Sequence, residues 1–262
     1  MQEADLGGRT ALVTGASSGL GVDFARELAR RGADLILVAR REERLREVAE
    51  KLRAAFDVRT TVVAADLADP HTPEMLYQTL AAQHRVDILI NNAGFGLYGH
   101  ELDIAWPDTR RMLQVDIVAP THLTKLFAQD MRTRGWGRIL QVASIGGYQP
   151  SPSYAAYSAA KSYVLHFGEA LNAELRGTGV SYTVVSPGVA ATEFLAVSGQ
   201  RLNWFHRATM MRSAKVAAIG IRAMLRGRSS VVTGLANQLM VFFVRFTPRV
   251  LQARIAGVLM RN

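Results

Sequence analysis

No cysteine occurs among the 262 residues, which excludes a disulfide framework, a thiolate nucleophile and any cysteine-held metal. The six histidines, at positions 71, 84, 100, 122, 166 and 206, show no paired ligand spacing and read as surface or packing residues. No acidic side chain follows Glu193: residues 194–262 hold 11 basic side chains, whereas 1–193 hold 20 basic and 22 acidic ones. The net charge of +9 therefore belongs to one end of the chain, mixed there with Trp204, Phe205, Phe242, Phe243 and Phe246. Without a nucleic-acid reading module, that distribution argues against a nucleic-acid partner. Long apolar runs are also missing. The uncharged stretch from Ser229 to Val244 includes Asn237 and Gln238, leaving only Leu239 to Val244 continuously apolar, and a bilayer-crossing helix needs about 20 such residues. The start, MQEADLGGRTALVTG, carries two acids and does not read as a signal peptide. A cytoplasmic location is the expectation.

What is present is a regular alternation. Short apolar or β-branched runs occur at 9–15, 33–39, 58–65, 86–92, 137–143, 180–186 and 229–234, and a helical stretch follows each of the first six. That pattern predicts βαβ units around a parallel sheet buried on both faces. With 49% hydrophobic residues, the chain is long enough for one large α/β core. The expectation is a single doubly wound, seven-stranded parallel sheet of the Rossmann type, spanning 1–235, with a basic amphipathic extension at 236–262. Helix signals agree: Leu45, Val48, Ala49, Leu52 and Phe56 share one face of 42–56, Thr72–Pro73 reads as a cap and first helical residue, and Pro120 should kink a long helix from about 107 to 134.

The first run leads into TGASSGLG at 14–21. Glycines at 15, 19 and 21 let backbone amides and a helix's positive end approach a diphosphate. At the end of the second run, a carboxylate would accept from the ribose hydroxyls of NAD, whereas arginine accommodates the additional phosphate of NADP. The chain reads LVARREE there, and Arg40 and Arg41 favour NADP(H).

The segment YAAYSAAKSY at 154–163 sets Lys161 one helical turn after Tyr157. Ser144 ends the fifth run, where a parallel sheet places its ligands. Tyrosine ionises near pH 10, so proton transfer near neutrality requires its pKa to fall by about 2–3 units. Lys161 and a positively charged nicotinamide ring are the groups expected to do this.

Together these motifs resemble the short-chain dehydrogenase/reductase family. TGASSGLG is similar to its glycine turn, NNAG at 91–94 to its fourth-strand motif, Ser144 with Tyr157 and Lys161 to its catalytic set, and PGVAAT at 187–192 to its segment beside the nicotinamide. The resemblance covers about residues 8–235. It implies Tyr157 as general acid in reduction and base in oxidation, Ser144 orienting the carbonyl, and Lys161 lowering the phenol's pKa and holding the nicotinamide ribose. It further implies that Gly15, Ser17, Gly19, Leu20 and Gly21 surround the phosphates, Arg40 meets the 2′-phosphate, and Asp66 and Leu67 meet the adenine. Asn91 and Gly94 would pack along the adenosine ribose, while Val189 and Thr192 meet the carboxamide. Asp66 as a turn cap and Thr192 as a helix cap stand as alternatives.

One position departs from the family: QVDIVAP places Asp116 where an asparagine is usual. A carboxylate among Val115, Ile117 and Val118 needs a partner, and coupling to Lys161 is expected to raise the pKa of Tyr157. By the resemblance, 190–213 is a mobile substrate lid. Its apolar groups, with Phe95, Leu97 and Tyr98, imply a hydrophobic ketone, aldehyde or alcohol as substrate, and the family implies homodimers or homotetramers. In the extension, Thr247–Pro248 reads as a helix start. Leu251, Ile255, Val258 and Leu259 form one stripe, which suits either an anionic membrane surface or a cover for protein core. Two functions follow: an NADP(H)-dependent oxidoreductase, or a non-catalytic NADP(H)-binding sensor or scaffold recruited to membrane or partner.

Overall fold

The computed structural model describes residues 4–189, 194, 198–201 and 203–260, with the backbone alone for 204, 205 and 208. The seven apolar runs form β1 (Thr10–Thr14), β2 (Asp34–Ala39), β3 (Thr60–Ala64), β4 (Val86–Asn91), β5 (Gly137–Val142), β6 (Val180–Ser186) and β7 (Ser230–Val232). All pairings are parallel, in the order β3-β2-β1-β4-β5-β6-β7. The chain thus reverses its direction of winding between β1 and β4. The helices following these two strands diverge to opposite faces, which opens a crevice at the strands' carboxyl ends.

The helices are α1 (Gly19–Ala29), α2 (Glu42–Phe56), α3 (Thr72–Ala81), α4 (Trp106–Leu113), α5 (Ala119–Thr133), α6 (Ala155–Glu174), α7 (Trp204–Thr209), α8 (Ser213–Leu225), α9 (Leu235–Val244) and α10 (Arg249–Leu259). Two apolar layers result. On one face, Phe24 and Leu28 of α1, Leu45 and Leu52 of α2, and Val216 and Ile221 of α8 pack on the sheet. On the other lie Leu76 and Leu80 of α3, Leu123 and Phe127 of α5, and Val164 and Leu165 of α6. Strands covered on both sides need no polar alternation, and β4 is accordingly buried along its whole length.

Three local expectations shift. Thr72 is the first residue of α3 and Pro73 the second, with His71 at the cap; the preceding turn, closed by Thr72 N–H donating to the Asp69 carbonyl at 3.2 Å, starts the helix. Pro248, not Thr247, flanks α10, because the Thr247 hydroxyl bonds back to the Phe243 carbonyl at 3.1 Å and finishes α9. The long helix is broken upstream of Pro120, by a π-helical turn at Gln114–Val118 joining α4 to α5. Pro120 has no N–H to offer the carbonyl four residues back, that of Asp116, which stands in the middle of this wider turn.

Candidate active site

A cavity of about 580 Å³ occupies the crevice, running from Arg40 and Arg41 past the glycine turn to Ser144 and Tyr157. Its first wall is built by the strand-to-helix turn after β1. Gly15 has φ +67°, and a Cβ there would lie 2.8 Å from Asn92 Nδ2. Asn92 Nδ2 donates to the Thr14 carbonyl at 2.9 Å and the Gly15 carbonyl at 3.3 Å, so β4 holds this turn open for a ligand's backbone-close approach. Ser17, Gly19 and Leu20 line the cavity beside it. Gly21 does something else: a Cβ there would overlap the Gly15 carbonyl, so this glycine lets α1 seat against the turn and lies outside the lining.

At the far end of β2, Arg40 and Arg41 are both exposed and border the cavity, and the Arg41 guanidinium reaches Ser17 Oγ at 3.4 Å. Asp66 and Leu67 form the neighbouring wall. Asp66 accepts from Ala68 N–H at 3.0 Å, as a turn cap would, and pairs with Arg111 at 2.9 Å. Gly94 and Val189 line the cavity as expected. Asn91 does not. It is buried, donating to Thr124 Oγ1 at 3.0 Å and the Pro120 carbonyl at 3.3 Å, and thereby pins β4 to α5; its neighbour Asn92 faces the cavity instead. Strand alternation turns consecutive side chains to opposite faces, which explains the exchange. Thr192 and much of the segment 190–197 lie outside the described residues.

Ser144 leaves β5 in extended conformation, and its hydroxyl accepts from Gly146 N–H at 3.1 Å. The Tyr157 side chain lines the same cavity as Ser144, and Ser144 pulls the phenol's pKa down. One turn along α6, Lys161 Nζ stands 5.5 Å from the Tyr157 ring centroid, donates to the Val142 carbonyl at 3.1 Å and pairs with Asp116 at 2.9 Å. Asp116 is 0% exposed and accepts Phe95 N–H at 3.0 Å. Burial pushes its carboxyl above the usual range, with the charge and hydrogen bond of Lys161 and the Phe95 amide opposing. Burial first, and Asp116 second, also raise the Tyr157 phenol above its ordinary 10.0, against the pull of Ser144. The lowering expected from Lys161 does not prevail in this structure: burial dominates, and the ammonium is matched at close range by a carboxylate.

Beyond Tyr157 the cavity becomes aromatic and aliphatic. Phe194 lies 5.5 Å and Tyr154 also 5.5 Å from the Tyr157 ring, centroid to centroid, and Phe95, Leu97 and Met260 complete this end. Tyr154, two turns before Lys161, caps α6, and its hydroxyl shares 2.9 Å hydrogen bonds with Ser198 Oγ and Gln200 Oε1. His206, read from sequence as a packing residue, is buried in a capping box with Asn203 and borders the same cavity. Gln200, His206 and Met260 carry no motif, and only the chain's return to the cavity brings them there. Among the described residues, no cluster of His, Cys, Asp or Glu could hold a metal ion.

Known proteins share this arrangement. The short chain dehydrogenase family matches over residues 9–203. The human very-long-chain 3-oxoacyl-CoA reductase is 30% identical over 224 residues, covering 84% of this chain and 71% of that protein. A dehydrogenase/reductase SDR family protein 7-like of Drosophila melanogaster is 32% identical over 251 residues, covering 92% and 77% respectively. Among solved structures, the short-chain dehydrogenase from Sphingobium yanoikuyae in complex with NADPH superimposes with a TM-score of 0.82 at 30% identity, over 91% of this chain and 93% of that one. Fold, cavity and sequence similarity converge, and the chain belongs to the short-chain dehydrogenase/reductase family of oxidoreductases.

Proposed function

We propose that this protein is an NADP(H)-dependent oxidoreductase that interconverts a hydrophobic carbonyl compound and its alcohol, with Ser144, Tyr157 and Lys161 as its catalytic residues. The observation that carries the reading is the single cavity joining Arg40 and Arg41, the glycine turn and the Ser144–Tyr157 pair. The residues present fit a dinucleotide: the turn leaves no room for a side chain at Gly15, the mouth beside β2 is cationic, and no carboxylate stands where NAD would need one. When bound, NADPH supplies the hydride that adds to the carbonyl carbon. Gly15, Ser17, Gly19 and Leu20 would border its phosphates, Arg40 its 2′-phosphate, Asp66 and Leu67 its adenine, Gly94 its adenosine ribose, and Val189 and Thr192 its carboxamide.

The chain's own groups handle the oxygen. Ser144 donates a hydrogen bond that orients the carbonyl, and Tyr157 gives its proton to the developing alkoxide, or takes the alcohol's proton in the reverse direction. Lys161, fixed between Asp116 and the Val142 carbonyl, holds a positive charge one turn from the phenol. Asp116 is a positioning residue for that ammonium.

The substrate class follows from the walls. Phe95, Leu97, Phe194 and Met260 surround the space beyond Tyr157, and Lys161, the cation at that end, already has its carboxylate. Among the described residues a highly charged sugar would find no unpaired cation at that end, whereas a lipid-like ketone or aldehyde would exchange water for apolar contact. The long-acyl name of the human relative supports the same class. A homodimer or homotetramer, a cytoplasmic location and a membrane contact through 236–262 belong to this reading.

A panel of apolar and polyhydroxylated carbonyls, assayed with NADPH and with NADH, tests it. Turnover confined to apolar carbonyls and faster with NADPH is expected. Tight NADPH binding with no turnover of any carbonyl would favour the scaffold instead.

A further inference from the structure

The segment after β7 folds into two helices, α9 and α10, whose attachment to the body is polar. Asn237 of α9, buried, donates to the Thr233 carbonyl at 2.8 Å. Gln252 of α10 donates to the Val244 and Thr247 carbonyls at 2.9 and 2.7 Å, bracing one helix on the other. At the end of α10, the Leu259 carbonyl accepts from Asn203 Nδ2 at 3.0 Å, and the Met260 carbonyl accepts from the Tyr98 hydroxyl and Gln200 Nε2, each at 3.0 Å. Of the apolar side chains here, only Val241 and Ala256 are buried.

Most of the large apolar groups that remain are exposed. Leu239 and Phe242 lie on one side of α9 with Phe243 beside them and Phe246 just past the helix end, and Phe242 packs edge-on against both Phe243 and Phe246. Leu251, Ile255 and Val258 repeat the pattern on α10. Phe246 and Val250, flanking the turn between the helices, are 71% and 70% exposed. Of the fourteen large apolar side chains exposed among the described residues, nine fall between Leu235 and Val258. Scattered exposed apolar residues are ordinary, but a concentration of this kind marks a contact surface.

Charge selects the occupant. Arg245, Arg249 and Arg254 are exposed among these side chains, and no acid exists anywhere in 194–262. A second copy applied symmetrically would bring arginines against arginines, whereas an anionic lipid surface offers both hydrocarbon and opposite charge. No helix among the described residues is long and apolar enough to cross a membrane, so the contact would lie in the interface plane. We propose that the α9–α10 hairpin docks this protein on an anionic lipid surface. Met260 at the end of α10 is itself part of the cavity wall, so the docked element and the substrate end of the cavity are continuous. On the reductase reading, that continuity lets an apolar carbonyl reach Tyr157 from the bilayer.

Vesicle co-sedimentation tests the docking without reference to catalysis. The probes are vesicles of phosphatidylcholine alone and of phosphatidylcholine with about one-third phosphatidylglycerol, compared at low and high salt. Wild type should pellet with the anionic vesicles, less so at high salt, and only weakly with the neutral ones. The full-length variant Phe242→Ser/Phe243→Ser/Phe246→Ser should remain in the supernatant. A second variant, Arg245→Gln/Arg249→Gln/Arg254→Gln, should lose about 10²-fold in affinity and keeps the test valid if the first misfolds. Wild type staying in the supernatant, or binding both compositions equally, would overturn the proposal. So would serine variants that change only the subunit count by light scattering, since the patch would then be a subunit interface. Vesicle binding by a catalytically silent protein would leave the docking standing and sink the reductase reading alone.

Discussion

Asp116 and Lys161 form a buried ion pair, 2.9 Å apart, between the π turn of the long helix and the helix that carries Tyr157. Gly94 stands over it: a Cβ at that position would lie 3.1 Å from Asp116 Oδ1 and 3.2 Å from Lys161 Nζ. A buried charge without its partner is strongly unfavourable, so each member holds the other in place. The consequence for chemistry is that the ammonium near Tyr157 is not an isolated positive charge.

Removing the carboxylate should therefore change the acidity of the phenol. Asp116 raises the Tyr157 pKa, second only to burial. In Asp116→Asn that contribution disappears. The phenol then ionises at lower pH. Reduction, which needs the protonated form, should lose activity at a lower pH than in wild type, and oxidation should gain activity at a lower pH. Steady-state pH profiles in both directions check this, and superimposable curves would refute the coupling.

The cationic mouth beside β2 predicts cofactor preference. Arg40→Ala should weaken NADPH binding by about 10- to 100-fold, the worth of one or two charge-assisted hydrogen bonds, and leave NADH affinity within about twofold. Titration of both coenzymes by nicotinamide fluorescence distinguishes a lost phosphate contact from a general weakening.

Asn91 should matter for stability rather than for ligand. Its amide holds β4 to α5 through Thr124 and the Pro120 carbonyl. Asn91→Ala should lower unfolding free energy by about 1–3 kcal/mol, since it strands buried partners, while the NADPH dissociation constant stays as in wild type. Denaturant unfolding and coenzyme titration on the same preparation give both readings. A variant of unchanged stability with impaired NADPH binding would restore the residue to the cofactor site.

Tyr154 lies over the substrate end and bonds to Ser198 and Gln200. Tyr154→Phe keeps the ring that packs on Tyr157 and removes the hydroxyl's two hydrogen bonds to the segment at 198–200. The expected result is a higher KM for apolar carbonyls, by about 3- to 10-fold, with kcat little changed, because uniform binding is lost and the proton donor remains. An equal fall in kcat and kcat/KM would show that the hydroxyl acts in the transition state.

The strands were legible because a parallel sheet covered on both faces writes them as near-continuous apolar runs, and Val86 to Asn91 shows this most plainly. Ser144, Tyr157 and Lys161 were legible because they lie on one strand end and one helix face, where spacing in sequence is spacing in space. Asp116 stood out as a charge among aliphatic neighbours, and its partner could be named in advance. Asn91 was misplaced because adjacent residues at a strand end face opposite ways, and the motif alone does not say which side holds the ligand. Gln200, His206 and Met260 could not be read at all, since long-range return of the chain brings them to the cavity. The α9–α10 stripe was visible as a pattern, but whether it faced core or water depended on polar anchors such as Asn237 and Gln252.

Everything chemical here rests on Tyr157 as the group that exchanges a proton with the substrate oxygen. The direct measurement is the single-turnover rate of hydride transfer from NADPH to an apolar ketone, followed by nicotinamide absorbance in wild type and Tyr157→Phe, with coenzyme affinity measured on both. The account predicts a rate about 10²- to 10⁴-fold lower in the variant with NADPH bound as tightly as before. Equal rates in the two proteins would contradict it.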